Sequence, residues 1–273
     1  PMLASTRRDG HAPRARPSSN GSRGTAALLT GCVMEGLFAE TNRATERVLL
    51  ANDYAVKDAP AQVCCGALHA HAGDAPAARR LARANIEAFE RAGADHICVN
   101  AAGCGAMMKE YPHLLADEPE WRGRALAVAA RVRDVSELLS VAGPSRGGAL
   151  PKRVSYDAPC HLIHAQRLAL PPLDVLRAIP ELDLVPLTES DVCCGSAGIY
   201  NLVEPETSDA VLKRKLEHIA TANPELVATG NQGCLMQIGA GLLRAGSPTR
   251  AVHPVELLDE SYARRAAERD GQS

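Results

Sequence analysis

Cys64-Cys65-Gly66-Ala67-Leu68-His69 and Cys193-Cys194-Gly195-Ser196-Ala197-Gly198 set the organisation of this chain. Each is a vicinal cysteine pair followed by glycine, and the two pairs stand 129 residues apart. Outward from them, Cys32 maps onto Cys160 with an offset of 128, and Gly103-Cys104 onto Gly233-Cys234 with an offset of 130. Eight of the nine cysteines thus belong to one four-cysteine pattern used twice, and only Cys98 is left over. Self-similarity of this kind marks an internal repeat.

The segments around the cysteines alternate in character. Thr25–Thr30 is a short apolar run that ends at Gly31-Cys32 and leads into a helical pattern near Asn42–Ala51. His96–Val99 reads as a buried strand closed by Asn100–Gly103 before Cys104. In the second half Arg153–Tyr156 reads as a strand before Asp157-Ala158-Pro159-Cys160, and Glu225–Ala228 does the same before Gly230–Cys234. Ala75–Ala92 and Asp209–Thr221 carry apolar residues at three- and four-residue spacing, as amphipathic helices do. Strands alternating with helices predict an α/β fold, with a small, mainly parallel sheet flanked by helices in each repeat. Cys32, Cys104, Cys160 and Cys234 then follow the carboxyl ends of strands and lie near helix starts, the edge where open α/β sheets bind ligands and where negative charge is favoured. The paired cysteines arrive on a loop and close each site from the other side.

The chain of 273 residues has room for two such domains, expected over residues 25–147 and 148–273. Apolar residues make up 46% and aromatics only 3%, so Leu, Ala and Val must fill the cores. A formal charge of −2 argues against a nucleic-acid partner. No stretch approaches the roughly 18–20 apolar residues of a membrane span, and none resembles a signal peptide. The expectation is a soluble, cytoplasmic chain whose attachment to the inner membrane, if any, comes through partners. Residues 1–24, rich in Arg, Ser, Gly and Pro, read as a disordered tail or linker, with a targeting peptide as the other reading. Pro1 in place of an initiator Met fits a processed chain or a fragment.

In a reducing compartment stable disulfides are rare, and an odd cysteine count fits poorly with a closed disulfide framework. Metal or redox chemistry is then the leading reading. Four thiolates meet the requirement of a [2Fe–2S] or [4Fe–4S] cluster and also suit tetrahedral zinc. Structural zinc sites use short Cys-x-x-Cys knuckles, which are missing here, and adjacent cysteines fit poorly at two vertices around one ion. Spacing therefore favours a cluster, with Cys32, Cys64, Cys65 and Cys104 as one ligand set and Cys160, Cys193, Cys194 and Cys234 as the other. The repeat is expected to bring both sites near the domain interface. Two rivals remain open: a thiol–disulfide enzyme using the vicinal cysteines, and a zinc-binding scaffold for protein partners.

These residues also carry a resemblance. Cys64-Cys65-Gly66-Ala67-Leu68-His69, Ala101-Ala102-Gly103-Cys104-Gly105, Asp157-Ala158-Pro159-Cys160-His161-Leu162-Ile163-His164-Ala165-Gln166, Cys193–Leu202 and Gly230-Asn231-Gln232-Gly233-Cys234-Leu235 are similar to the cysteine-rich "CCG" domain of the heterodisulfide reductases and their relatives. They resemble still more the iron–sulfur subunits of glycolate oxidase, and the likeness covers about residues 25–262. It implies an electron-transfer subunit of an oxidoreductase complex that oxidises glycolate to glyoxylate. FAD and the hydroxyacid would sit on flavin-containing partner subunits, and a quinone or a ferredoxin-type module would accept the electrons. A lactate-utilisation carrier is a close variant of this reading. The chain departs from the family in two ways. It has no ferredoxin-like Cys-x-x-Cys run, so that module is either missing from this sequence or supplied separately. Met107 and Gln237 stand where heterodisulfide reductase has a fifth cysteine, which makes an ordinary four-cysteine [4Fe-4S] cluster the simpler expectation over a non-cubane one.

The remaining candidates are plainer. Cys98 lies in an apolar strand and reads as core. His69, His71, His161 and His164 flank the cysteines, where they either hydrogen-bond cluster sulfurs or serve packing alone. Met107 and Met108 read as packing residues, and His253-Pro254 as the structural start of a terminal helix over Val255–Ala266. There is no glycine-rich dinucleotide fingerprint or phosphate loop, so flavin and nicotinamide are not expected on this chain.

Overall fold

The computed structural model describes residues 2–6 and 14–270. The expected tail over residues 1–24 lies partly outside the described residues. In its described part, Met2–Ser5 forms a helical turn, Arg14 pairs with Asp259 at 2.6 Å, and Arg16 pairs with Glu46 at 2.6 Å.

Two four-stranded, all-parallel sheets form the frame. The first contains β1 (Thr25–Leu28), β2 (Ala55–Lys57), β3 (His96–Val99) and β4 (Val132–Asp134), in the order β2-β1-β3-β4. The second contains β5 (Arg153–Tyr156), β6 (Asp183–Val185), β7 (Leu226–Ala228) and β8 (Arg250–Val252), in the order β6-β5-β7-β8. The two orders are the same topology, as a duplication requires. Registers correspond as well: Ala26 pairs with His96 in the first sheet and Val154 with Leu226 in the second. The central strands are apolar because parallel sheets are covered by helices on both faces. Ala26, Ala27, Ile97, Val154 and Val227 are each fully buried.

The helices start and stop for local reasons. Ala75–Ala92 begins with Asp74, whose carboxylate accepts from the Ala77 N–H at 3.0 Å, and ends at Gly93 in the left-handed conformation. Its counterpart Pro205–Ala222 starts with proline in the first turn and ends at a left-handed Asn223. Helix Ala39–Ala51 follows β1, and the terminal helix Pro254–Asp270 of the second repeat packs against it. That contact is polar as well as apolar. Arg47 donates to both carboxylate oxygens of Asp259 at 2.9 Å, Asn52 reaches the Tyr262 hydroxyl at 2.9 Å, and Thr41 bonds Glu256. The buried apolar residues form two clusters, each drawing on both repeats. Among the described residues no helix is long and apolar enough to cross a membrane.

Candidate metal centres

In each sheet the chain leaves the first strand towards one neighbour and returns on its other side. The crevice between the carboxyl ends of β1 and β3, and between those of β5 and β7, is therefore a topological switch point, where such sheets take ligands. Cys32 follows β1 and precedes helix Val33–Leu37; Cys104 follows β3 and lies in the first turn of helix Ala102–Lys109. Cys160 and Cys234 occupy the same places after β5 and β7, at the π-helical turn His161–Ala165 and helix Gln232–Arg244.

The vicinal pairs close each crevice through the same turn. Gly66 and Gly195 have φ of +89° and +90°, values that a side chain resists. The turn directs each glycine N–H at the sulfur two residues back, Cys64 at 3.5 Å and Cys193 at 3.3 Å. Packing enforces glycine further in the second repeat, where a Cβ at Gly195 would lie 2.4 Å from the Ser208 carbonyl oxygen.

The first set is continuous. The Cys32 thiol donates to Cys64 at 3.3 Å, Cys64 adjoins Cys65, and Cys65 hydrogen-bonds Cys104. Cys65 and Cys104 are buried, whereas Cys32 is exposed. Asn85 and Tyr111 hold this loop from beneath: Asn85 accepts from Val63 N–H and donates to the Cys64 carbonyl, both at 2.9 Å, and the Tyr111 hydroxyl donates to the Cys65 carbonyl at 2.9 Å. In the second set Cys160 hydrogen-bonds Cys193, and Cys194 hydrogen-bonds Cys193 and Cys234. Lys215 holds that loop. Its ammonium is fully buried, donates to the carbonyls of Glu189 and Ser190 at 2.7 and 3.1 Å, and pairs with Asp157 at 2.9 Å. Thr229 supplies a further hydrogen bond to Asp157 at 3.0 Å.

The electrostatics follow from crowding. The bond to Cys64 and burial push the Cys32 thiol up. Cys65 rises well above the ordinary thiol range beside Cys104, as does Cys194 beside Cys193 and Cys234. Cys193 is held down because it accepts from Cys160 and Cys194. Four adjacent thiolates therefore repel one another strongly. A metal core offsets that repulsion and deprotonates the thiols that bind it, so each set fits an iron–sulfur cluster, which needs four such ligands. Among the described residues no group of three or more His, Cys, Asp or Glu is placed to hold a single metal ion.

Residues of the second repeat line the same cavity as the first cysteine set. A cavity of about 230 Å³ has Cys32, Cys64, Cys65 and Cys104 in one wall and Ile199, Leu202 and Met236 in another. A larger cleft, about 860 Å³, lies at the amino ends of β5, β7 and β8 and contains none of the cysteines. Of the four histidines, His161 lies 3.8 Å from the Cys160 sulfur and stacks at a tilt, 5.9 Å away, on His71 at the cavity. His69 is half-buried and His164 is exposed. Cys98 is fully buried in β3, Met108 is fully buried, and His253 bonds the Asn100 carbonyl oxygen at 2.9 Å across the repeats. Sequence patterns gave no sign of Lys215, Asn85 or Tyr111. A lysine on an amphipathic helix reads as solvated, and only the fold turns it inward.

Comparison with known proteins matches the same geometry. The model of the cysteine-rich domain family, CCG, matches residues 26–109 and 154–239, each copy taking in the first three strands of one sheet and its four repeated cysteines but not the fourth strand, β4 or β8. A Bacillus subtilis (strain 168) protein named "Probable glycolate oxidase iron-sulfur subunit" is 38% identical over 94% of this chain, which spans only 59% of that relative. "Lactate utilization protein A" of Exiguobacterium sp. (strain ATCC BAA-1283 / AT1b) is 31% identical over 86% of this chain and 96% of its own length. The Geobacillus thermodenitrificans (strain NG80-2) protein of that name is 29% identical over 85% and 98%. With the fold duplicated, the cysteines in register and both copies matched, the chain belongs to the CCG cysteine-rich domain family and carries two copies of the domain.

Proposed function

We propose that the chain is an iron–sulfur electron-transfer subunit of a glycolate oxidase-type complex. The repeats over 25–147 and 148–273 would each hold a [4Fe-4S] cluster, through Cys32, Cys64, Cys65 and Cys104 in one and Cys160, Cys193, Cys194 and Cys234 in the other. The observation that carries the reading is the pair of continuous four-sulfur sets at corresponding switch points of two matching sheets. A bound cluster supplies one-electron redox chemistry at a potential set by hydrogen bonds and exposure. The chain's own part is to hold the sulfurs. Asn85 and Tyr111 fix the carbonyls of Cys64 and Cys65, and Lys215 fixes the carbonyls of Glu189 and Ser190 just before the second pair. Residues of the second repeat line the cavity beside the first set, and exposed Cys32 brings that set to the surface. Flavin and hydroxyacid belong to partner subunits in this reading, with a quinone or ferredoxin-type module as acceptor. The chain works in the cytoplasm, and any contact with the inner membrane comes through those partners. A lactate-utilisation role is the second reading, favoured by the near-complete span of those relatives.

Iron, zinc and acid-labile sulfide in anaerobically purified protein, with the visible spectrum, test the proposal. About four irons and four sulfides per occupied site are expected for [4Fe–4S]. Stoichiometric zinc without sulfide overturns it. Glycolate- against lactate-dependent reduction of the chromophore by co-purified flavin subunits separates the two readings.

A further inference from the structure

Asn231 and Gln232 lead into the helix that carries Cys234. The matching positions in the first repeat are Ala101 and Ala102, which have no side-chain donors. The amide pair is therefore not needed to build the repeat, since the first copy forms the same strand–turn–helix without it. Its two side chains reach different sites. Gln232 Nε2 crosses the interface to Cys104 Sγ of the first set, 3.6 Å away. Asn231 Nδ2 lies 3.5 Å from Cys234 Sγ of its own set, and its Oδ1 accepts the Gly103 N–H, next to Cys104, at 3.0 Å.

The contact is built rather than incidental. Ala102 N–H donates to the Gly230 carbonyl at 3.0 Å, and Gln166 donates to the Ala102 carbonyl at 2.8 Å. Because Oδ1 is committed to an N–H, the other end of the Asn231 amide must face the sulfur. A ligand sulfur carries negative charge, so it accepts from the Gln232 amide nitrogen and would repel the oxygen.

We infer that the Asn231–Gln232 pair tunes the two centres separately: Gln232 the first through Cys104 and Asn231 the second through Cys234, while the Gly103 N–H to Asn231 Oδ1 bond ties the two loops together. This rests on the cluster reading above. A donor hydrogen bond to a ligand sulfur stabilises the more negative, reduced state and raises the potential. Both are positioning residues, and each acts on a different centre although they are neighbours in sequence.

The test is a redox titration of the full chain, followed by electron paramagnetic resonance and absorption, for wild type, Gln232→Met and Asn231→Ala. Methionine keeps the length of the side chain and removes the donor. Gln232→Met is expected to move one midpoint to more negative potential and leave the other in place. Asn231→Ala is expected to move the midpoint that Gln232→Met spares. If one centre alone is loaded, one of the two variants moves it. Unchanged midpoints in both variants at wild-type iron content overturn the inference, as does an equal shift of every centre in each. A variant that loses iron is read through Gln232→Leu or Asn231→Ser in its place. Wild-type protein without iron and sulfide sinks the cluster reading and this inference together, and the metal analysis shows that separately from the potentials.

Discussion

Lys215→Met is the most demanding test of the second site's architecture. The ammonium is fully buried and has three partners: Asp157 at 2.9 Å and the carbonyls of Glu189 and Ser190 at 2.7 and 3.1 Å. Methionine fills nearly the same volume, so the change removes charge and donors with little cavity. What remains is a buried Asp157 whose carboxyl burial already pushes upward, against the pull of Lys215. Breaking a buried pair by removing one partner costs about 3–5 kcal/mol. The two freed carbonyls lie just before Cys193, and Glu189 has a left-handed φ of 53°, so the loop loses its anchor as well. For a chain of this size 1 kcal/mol moves the melting midpoint by roughly 2–4 °C, which puts the expected drop at about 10 °C. The assay is circular dichroism melting of wild type, Lys215→Met and Lys215→Met/Asp157→Leu in one anaerobic buffer. The double variant should regain most of the loss, because replacing a buried pair by apolar groups is close to neutral. A single variant within about 2 °C of wild type, or a double variant worse than the single, refutes the reasoning.

Three further outcomes are expected from the geometry. Cys104→Ser should cut bound iron to about half of wild type if both centres are loaded with four irons each, while Cys98→Ser, in the core of β3, should leave iron unchanged; plasma emission analysis reads both. Asp134 caps helix Val135–Ala142 while buried, and burial raises its carboxyl to about 6 from an ordinary 3.8. Its folded state thus holds the proton more tightly than the unfolded one, so this contribution to stability is full below about pH 4 and is lost as pH rises through 6. Melting of wild type against Asp134→Asn should show the variant gaining on wild type by about 3 kcal/mol between pH 4 and 7, and a constant difference would count against it. Gly66→Ala and Gly195→Ala share a positive φ, each costing roughly 1–2 kcal/mol, but only the Gly195 Cβ meets a backbone oxygen at 2.4 Å; the nearest atoms at Gly66 are 3.4 Å away. Gly195→Ala should therefore melt well below Gly66→Ala.

Legibility followed local physics. β1, β3, β5 and β7 were readable because central strands of a parallel sheet are buried on both faces, and every residue after the first is buried in each of them, including Ser155 and Tyr156 of β5. The edge strands β2, β4, β6 and β8 are three residues each and include Lys57, Arg133, Asp183 and Arg250, so they have no such run. Helix Pro205–Ala222 starts before the expected Asp209 because Pro205 suits a first turn and its polar neighbours hide the periodicity. The terminal helix similarly extends past Val255–Ala266 to Pro254–Asp270.

The amino-acid sequence alone determined the duplication, the eight cysteines in register, the α/β class and the thiolate chemistry those residues can support. These depend on identity and spacing within about forty residues of each motif. Only the tertiary structure decided that the second repeat walls the first site, that Lys215 turns inward to Asp157, and that Gln232 reaches Cys104. Periodicity and propensity act along a few turns of chain, whereas a contact between positions 104 and 232 depends on how two sheets pack. Nothing in either repeat's own pattern sets that packing, so residues with no shared motif came to share one site.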